Sequence, residues 1–105
     1  MPAPLRPASF QLLYCIRFLE RSLLPQLPAL VAPGGFILYC TWVDGPGLRA
    51  FGRPSGVDRV LQPGELGGQW FGAGQGFRVV RDEVLPAPDG RELSFFLAQK
   101  LEDGS

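Results

Sequence analysis

The chain has 105 residues, ten basic and ten acidic side chains that cancel, and no histidine. This length suits one small domain with a modest core, and the 46% of apolar residues indicate a folded chain. Nine of the ten basic residues are arginines spread along the sequence, so the basic stripe of a nucleic-acid binder is missing and no nucleic-acid partner is expected. The absence of histidine removes the commonest general base and metal ligand, and no metal site is expected.

The cysteines and the apolar pattern of the chain predict the cellular compartment of the protein. Cys15 and Cys40 each lie in an apolar segment without CxxC spacing, which favours buried free thiols and an intracellular, cytoplasmic protein. The first residues lack the basic and then apolar pattern of a secretory signal. Prolines and glycines interrupt the longest apolar stretch, so we expect no membrane segment.

The pattern of the first third of the chain predicts a strand, a helix and the residues that end this helix. Residues 1–8 contain three prolines and predict an irregular lead-in. Residues 9–16 form a short, nearly continuous apolar run, which indicates a buried strand. Leucines three to four residues apart over 17–31 predict an amphipathic helix with Ser22 as its N-cap. Pro33-Gly34-Gly35 is expected to end that helix.

The rest of the chain predicts three more strands. Residues 36–43 are aromatic, β-branched and apolar, as in a central buried strand. A long loop rich in glycine, proline and arginine follows over 44–63, and a short helix is predicted over 63–71. Residues 77–84 and 91–99 read as two strands joined by a Pro-Asp-Gly turn, and therefore as a hairpin.

Two features in this half invite a functional interpretation that their context disfavours. Gly72-Ala73-Gly74-Gln75-Gly76 looks like a phosphate-binding loop, but a predicted helix precedes it and a strand follows it. Because such a loop needs the opposite order, a plain linker is favoured. Glu65, in the first turn of the short helix, is interpreted as a partner of the helix dipole rather than as a pocket acid.

Four segments in this order resemble class I S-adenosylmethionine-dependent methyltransferases. They are Leu23-Leu24-Pro25 to Ala32-Pro33-Gly34-Gly35, Tyr39-Cys40-Thr41-Trp42, Phe51-Gly52-Arg53-Pro54 and Leu61-Gln62-Pro63-Gly64-Glu65-Leu66. The first is similar to the family's helix that ends in L-x-P-G-G. The other three resemble the Y-E-T-F, F-G-x-P and L-x-P-G-E-L motifs of the tellurite-resistance-type subgroup. Cys40 departs from the pattern, because members often carry an acidic residue there.

The resemblance implies an α/β fold that is only part of the family's domain. Residues 9–100 would form the C-terminal half of a Rossmann-like methyltransferase sheet, strands four to seven, mostly parallel with a C-terminal antiparallel hairpin. Residues 101–105 would be a tail. In the family, a Gly-rich turn after strand one and an acidic residue ending strand two hold the cofactor. Only eight residues precede the first predicted strand, so neither element is expected in this chain.

The candidate site residues lie at the ends of two predicted strands or in the loop after the second, since ligands of open α/β sheets bind at the carboxyl ends of strands. By the resemblance, Cys15 and Arg17 border S-adenosyl-L-methionine. Thr41 and Trp42 are candidates for an acceptor pocket, and Arg53 for clamping an anionic acceptor through paired donors. The alternatives are core positions for Cys15, Thr41 and Trp42, and solvated arginines at the other two positions. No residue is singled out as catalytic.

Two functions from different classes remain open. The first is a methyltransferase family member that lacks its cofactor-binding half, is inactive alone, and acts on a small-molecule or protein methyl acceptor once that half is supplied. The second is a non-catalytic interaction module that pairs through the apolar strand Phe10–Ile16, which would have no neighbour on one side. On either interpretation we expect the isolated chain to be marginally stable.

Overall fold

A computed structural model describes residues 10–17, 19–56 and 58–102. Its regular elements, in chain order, are four strands, two short α-helices and three single turns of helix. These are β1 (Phe10–Ile16), a 3₁₀ turn (Leu24–Gln26), α1 (Leu27–Leu30), β2 (Val31–Cys40), α2 (Pro46–Phe51), a π turn (Leu66–Trp70), a 3₁₀ turn (Ala73–Gln75), β3 (Phe77–Pro86) and β4 (Glu92–Lys100). The predicted lead-in over 1–8 lies outside the described residues, as do the last three residues of the predicted tail.

The four strands form one mixed sheet in the order β1-β2-β4-β3. β1 and β2 are parallel, whereas β2 with β4 and β3 with β4 are antiparallel. The C-terminal hairpin is therefore confirmed, but the prediction of mostly parallel strands is wrong. The hairpin joins the sheet through its second strand, β4, which is antiparallel both to β2 and to β3. The sheet therefore has two antiparallel pairings and one parallel pairing.

The helix predicted over 17–31 is shorter than expected, and the strand after it begins earlier. Leu23, not Ser22, stands at the start of the helical segment, and the Ser22 hydroxyl bonds to Glu20 instead. Val31 already has extended backbone angles, so β2 begins five residues before the predicted Phe36. Pro28 weakens the helix because it lacks an N–H donor, and β1 offers the following residues a strand to pair with.

Helical segments cover one face of the sheet. Their leucines pack against alternate residues of the strands, as the period-two geometry of a strand requires. The cluster contains Cys15, Leu24, Leu27, Leu30, Val31, Ile37, Tyr39, Val43, Leu61, Leu66, Phe71, Phe77, Phe96 and Ala98. Phe71 meets the edge of Phe77 at 5.4 Å between ring centroids, so the π turn is tied to β3.

The segment predicted as a long loop contains α2. Pro46 occupies its first turn, where its missing N–H costs nothing, and Gly52 ends it with φ of 92°. The carboxylate of Glu92 on β4 accepts hydrogen bonds from the backbone N–H groups of Gly47 and Leu48. This tertiary contact satisfies the helix start, which is why local sequence alone did not indicate a helix there.

The opposite face is partly open at the β1 edge. Leu12, Tyr14 and Ile16 alternate along β1 and are 54%, 65% and 52% exposed. Within the described residues, β1 has a strand neighbour only on its β2 side. No helix in the described part of the chain is long and apolar enough to cross a membrane.

Candidate functional site

A cavity of about 820 Å³ opens where β1 and β2 end. It lies at the carboxyl edge of the only parallel strand pair in the described residues, which is where open α/β sheets place their ligands. Residues from both strand ends, the loop after α2 and the β3–β4 turn line it. They are Arg17, Leu19, Glu20, Arg21, Thr41, Trp42, Arg53, Pro54, Asp58, Arg59 and Arg91.

Four of the five residues singled out from the sequence meet in this cavity. Arg17, Thr41, Trp42 and Arg53 all line it, although 36 residues separate the first from the last. Cys15 does not; its side chain belongs to the core on the helix-covered face, and burial raises the pKa of its thiol. For the four residues in the cavity, the assignment to cofactor or acceptor stays a prediction. For Cys15, the alternative of a core position fits the structure better.

The chain at the end of β1 adopts an unusual backbone. Arg17 has φ of 53°, the only positive φ outside glycine in the described residues. Its N–H donates to the carbonyl oxygen of Cys40 at 2.5 Å, which ties the end of β1 to the end of β2. The guanidinium of Arg17 lies 5.7 Å from the ring centroid of Trp42, within the range of cation–π attraction.

Thr41 is held in place by a buried serine. The backbone N–H of Thr41 donates to Ser94 Oγ at 3.0 Å, and that hydroxyl donates to the carbonyl oxygen of Tyr39 at 3.2 Å. Thr41 itself is only 1% exposed. Its position is consistent with the packing role weighed above, and its contribution to the cavity wall is small.

Arg91 forms a stacked wall that the sequence did not reveal. Its guanidinium carbon lies 3.8 Å from the centroid of Trp42 and 4.0 Å from that of Phe51. Its Nε and Nη2 donate to Asp89 Oδ2, and its Nη1 donates to the carbonyl oxygen of Arg53. The contact with Arg91 also lowers the pKa of Asp89. In the sequence, only the Asp-Gly-Arg run of the hairpin turn pointed to Arg91. Its aromatic partners lie about 40 residues earlier in the chain, so the sequence did not indicate the stacking.

A second wall is fixed by a bidentate ion pair. Glu65 accepts from Arg21 Nη1 at 2.5 Å and Nη2 at 3.0 Å, from the N–H of Gln62, and from Trp70 Nε1 at 2.9 Å. The Glu65 side chain is 6% exposed, and hydrogen bonding from Arg21 is the main cause that lowers its pKa from 4.5 to about 2. Glu65 therefore anchors Arg21 and the π turn, which differs from the predicted partner of the helix dipole.

The Gly-rich segment plays no part in this cavity. Gly72 and Gly76 flank a 3₁₀ turn that follows the π turn and precedes β3, and neither residue lines the cavity. The interpretation as a linker is confirmed. Among the described residues no group of three or more cysteine, aspartate and glutamate side chains is placed to hold a metal ion.

Comparisons with solved structures define the class of fold. The [4+2]-cyclase SpnF superposes on 96% of this chain with a TM-score of 0.68 at 13% identity, and the chain covers 53% of it. The 1,6-didemethyltoxoflavin-N1-methyltransferase of Burkholderia thailandensis, solved with 1,6-didemethyltoxoflavin and S-adenosylhomocysteine, superposes on 92% with a TM-score of 0.60 at 17% identity; the chain covers 46% of it. The chain thus has a class I methyltransferase-like fold over about half of the length of these proteins.

One curated sequence relative is much longer than this chain. The uncharacterized protein UNK4.09 of Schizosaccharomyces pombe is 36% identical over 93 residues, which is 89% of this chain. The chain spans only 27% of that relative. No protein-family model matches the chain.

Proposed function

We propose that this chain is the acceptor-side half of an S-adenosylmethionine-dependent methyltransferase, with β1 to β4 corresponding to strands four to seven of the family. The cavity at the carboxyl ends of β1 and β2 carries the proposal, because ligands bind there in sheets of this type. The fold shared with a methyltransferase supports it. The likeness to tellurite-resistance-type motifs suggests the subgroup, and a small molecule or a protein is the expected acceptor.

The described residues fit only part of a cofactor site. Cys15, one of the two residues expected to border the cofactor, is buried in the core. The Gly-rich segment of the described chain precedes a strand instead of following one, so it cannot serve as the turn that cradles the methionine moiety. We therefore derive no catalytic step through S-adenosylmethionine from this chain alone, and we expect cofactor binding to require the other half of the fold.

The residues present can position an acceptor. Methyl transfer is an in-line displacement, so the protein has to align two reactants and keep water out. Trp42 offers an aromatic wall that Arg91 holds by stacking, and the Glu65–Arg21 pair fixes the opposite loop. None of this needs a histidine or a metal ion.

A titration calorimeter tests the proposal directly. S-adenosylmethionine would be titrated into the chain alone, into intact UNK4.09, and into a chimera in which this chain replaces the matched segment of UNK4.09. We expect no binding to the chain alone and micromolar binding to the other two. Micromolar binding to the chain alone would show that its cofactor site is complete, and absence of binding to all three would refute the proposal.

The second candidate, an interaction module, is favoured by one specific observation. β1 is an edge strand of the described sheet, its sequence FQLLYCI has no charge, and three of its apolar side chains are more than half exposed. Such an edge can bind an extended partner strand. If all three titrations show no binding, this function becomes the better supported one.

A further inference from the structure

Three arginines of the cavity form no salt bridge with a carboxylate in the described part of the chain. Arg21 is paired with Glu65, and Arg91 with Asp89. Arg17, Arg53 and Arg59, in contrast, form no ion pair with any other described residue. Glu20 and Asp58 also line the cavity, so these three arginines share the wall with two acidic residues. Within the described chain the wall therefore has three guanidinium groups without an ion-pair partner and a small excess of positive charge.

The backbone at Arg17 is a second, independent observation. A residue with a side chain is disfavoured at a φ of 53°, where glycine is the usual choice. The hydrogen bond to Cys40 holds Arg17 in this conformation. A glycine could make the same backbone bond without strain, so the backbone alone does not explain an arginine. Strained residues of this kind concentrate at functional sites, and here the side chain reaches the cavity.

Arg91 is a part of the wall and not a free donor. Its guanidinium is stacked between Trp42 and Phe51, and its nitrogens donate to Asp89 and to the backbone of Arg53. These contacts fix the indole of Trp42 and the backbone of Arg53 relative to each other. The cavity thus offers an aromatic surface, held by Arg91, next to guanidinium groups that form no ion pair with a described residue.

We propose that this cavity binds a ligand in which a flat apolar part, placed against Trp42, carries a carboxylate or phosphate group bound by Arg17, with Arg53 and Arg59 adding positive charge. Guanidinium groups suit both anions because their paired donors match two oxygens. The proposal rests on the proposed function, since the ligand would be the methyl acceptor.

NMR titration of the full chain tests it with three probes of similar shape. They are naphthalene-2-carboxylate, 2-naphthyl phosphate and the neutral naphthalene-2-carboxamide, at constant ionic strength. The indole Nε1–H signals of Trp42 and Trp70 report binding, and a Trp70→Phe variant assigns them. We expect at least one anion to bind about tenfold more tightly than the carboxamide, with the larger shift at Trp42. The tighter of the two anions identifies the acidic group.

Variants at Arg17 separate a binding role from a structural one. Arg17→Gly should weaken anion binding about tenfold while the melting temperature stays equal or rises, because glycine relieves the positive φ. Arg17→Lys should restore part of the affinity, since it keeps the charge but not the paired donors. Arg78→Gln, on β3 and away from the cavity, is the matched control and should leave binding unchanged.

The results distinguish the two proposals. Equal affinity for the anions and the carboxamide, or an equal effect of Arg17→Gly and Arg78→Gln, would overturn the anion site whatever the cofactor titration gives. Selective anion binding that depends on Arg17 supports the anion site even if S-adenosylmethionine binds to neither the chimera nor UNK4.09, in which case only the proposed methyl transfer fails.

Discussion

Glu65 shows how one side chain holds several parts of this small protein together. Its two carboxylate oxygens accept from Arg21, from the backbone of Gln62 and from the indole of Trp70. The side chain is almost fully buried, so water cannot replace these partners when one is lost. A buried carboxylate of this kind links the β1–β2 connection to the π turn, and we expect its removal to be costly.

We predict that Glu65→Gln lowers the free energy of unfolding by roughly 3 kcal/mol, because it leaves Arg21 with an uncharged partner and weakens the other bonds. Urea denaturation followed by fluorescence measures the change. Asp44→Asn is the matched control, since Asp44 pairs with an Arg49 side chain that is 72% exposed, and it should have no measurable effect. Equal effects of both variants would contradict the anchoring role of Glu65.

The same carboxylate predicts a pH dependence. Its pKa is lowered from 4.5 to about 2 in the folded chain, so the unfolded state binds its proton first as the pH falls. The stabilisation is therefore complete above about pH 5 and is lost as the pH falls through 4 towards 2. Unfolding free energies measured over this range should decrease less steeply in Glu65→Gln than in the wild-type chain. Parallel curves for the two proteins would contradict the assignment.

At the scale of an element, the pairing of β2 with β1 requires a glycine at position 35, the last residue of the Pro-Gly-Gly segment. A Cβ at Gly35 would lie 2.8 Å from the carbonyl oxygen of Gln11 and 2.9 Å from those of Phe10 and Ala32. These are backbone atoms, which cannot rotate away. The register between β1 and β2 shifts at this place, between Phe10 and Leu12. Gly35 therefore permits the close approach of two strands at the irregular start of their pairing.

We predict that Gly35→Ala destabilises the chain by about 2 kcal/mol or more, because the methyl group forces β1 and β2 apart. Gly68→Ala is the matched control: nothing lies within 4 Å of a Cβ at Gly68, and its φ is not positive. Thermal melts of the two variants measure the difference. A Gly35→Ala melt as stable as that of Gly68→Ala would show that the strands can separate without cost.

Elements that depend on neighbouring residues were predicted from the sequence, and elements that depend on tertiary contacts were not. β1, β3 and β4 begin and end within about two residues of the expected bounds because their apolar runs are continuous and turn residues flank them. α2 was missed because its N-terminus is satisfied by Glu92, 45 residues further along the chain. The early start of β2 was missed because pairing with β1 overrides the helix-like spacing of the leucines.

At the scale of the whole molecule, the two edges of the sheet that the described residues form have opposite properties. β3 carries charged residues along its length, including Arg78, Arg81 and Glu83. β1, at the other edge, has none, and its outer side chains are exposed. Charges on an edge strand oppose pairing with another chain, so β3 is protected and β1 is not. Association of this chain, with a second copy or with the other half of the fold, is therefore expected at β1.

We predict that Tyr14→Lys weakens self-association of the chain about tenfold, because the charge must be desolvated when two β1 edges meet. Tyr14 is 65% exposed, so stability should change little. Val84→Lys, at an exposed apolar position on the β3 edge, is the matched control and should leave association unchanged. Sedimentation velocity over a concentration series measures both. A wild-type chain that stays monomeric, or an equal effect of both variants, would contradict this.

The sequence by itself determined the four strands, the closing hairpin and the two strand ends at which a ligand would bind. These follow from short-range apolar patterning and from turn residues, which act within a few positions of the chain. It also pointed to Arg17, Trp42 and Arg53, because residues at the carboxyl ends of parallel strands and in the loop beyond them share one edge of the sheet.

Only the tertiary structure decided which side chains form the cavity wall and which of its arginines lack an ion-pair partner among the described residues. The stacking of Arg91 on Trp42 joins positions 49 residues apart, and the pairing of Arg21 with Glu65 joins positions 44 residues apart. Cys15 lies inside β1 on the covered face, opposite to its exposed neighbours Tyr14 and Ile16, because successive strand residues alternate in direction, whereas Arg17 follows the strand and lines the cavity. Partners at such separations are set by the packing of the sheet, the turns and the loops, which no local pattern in the sequence specifies.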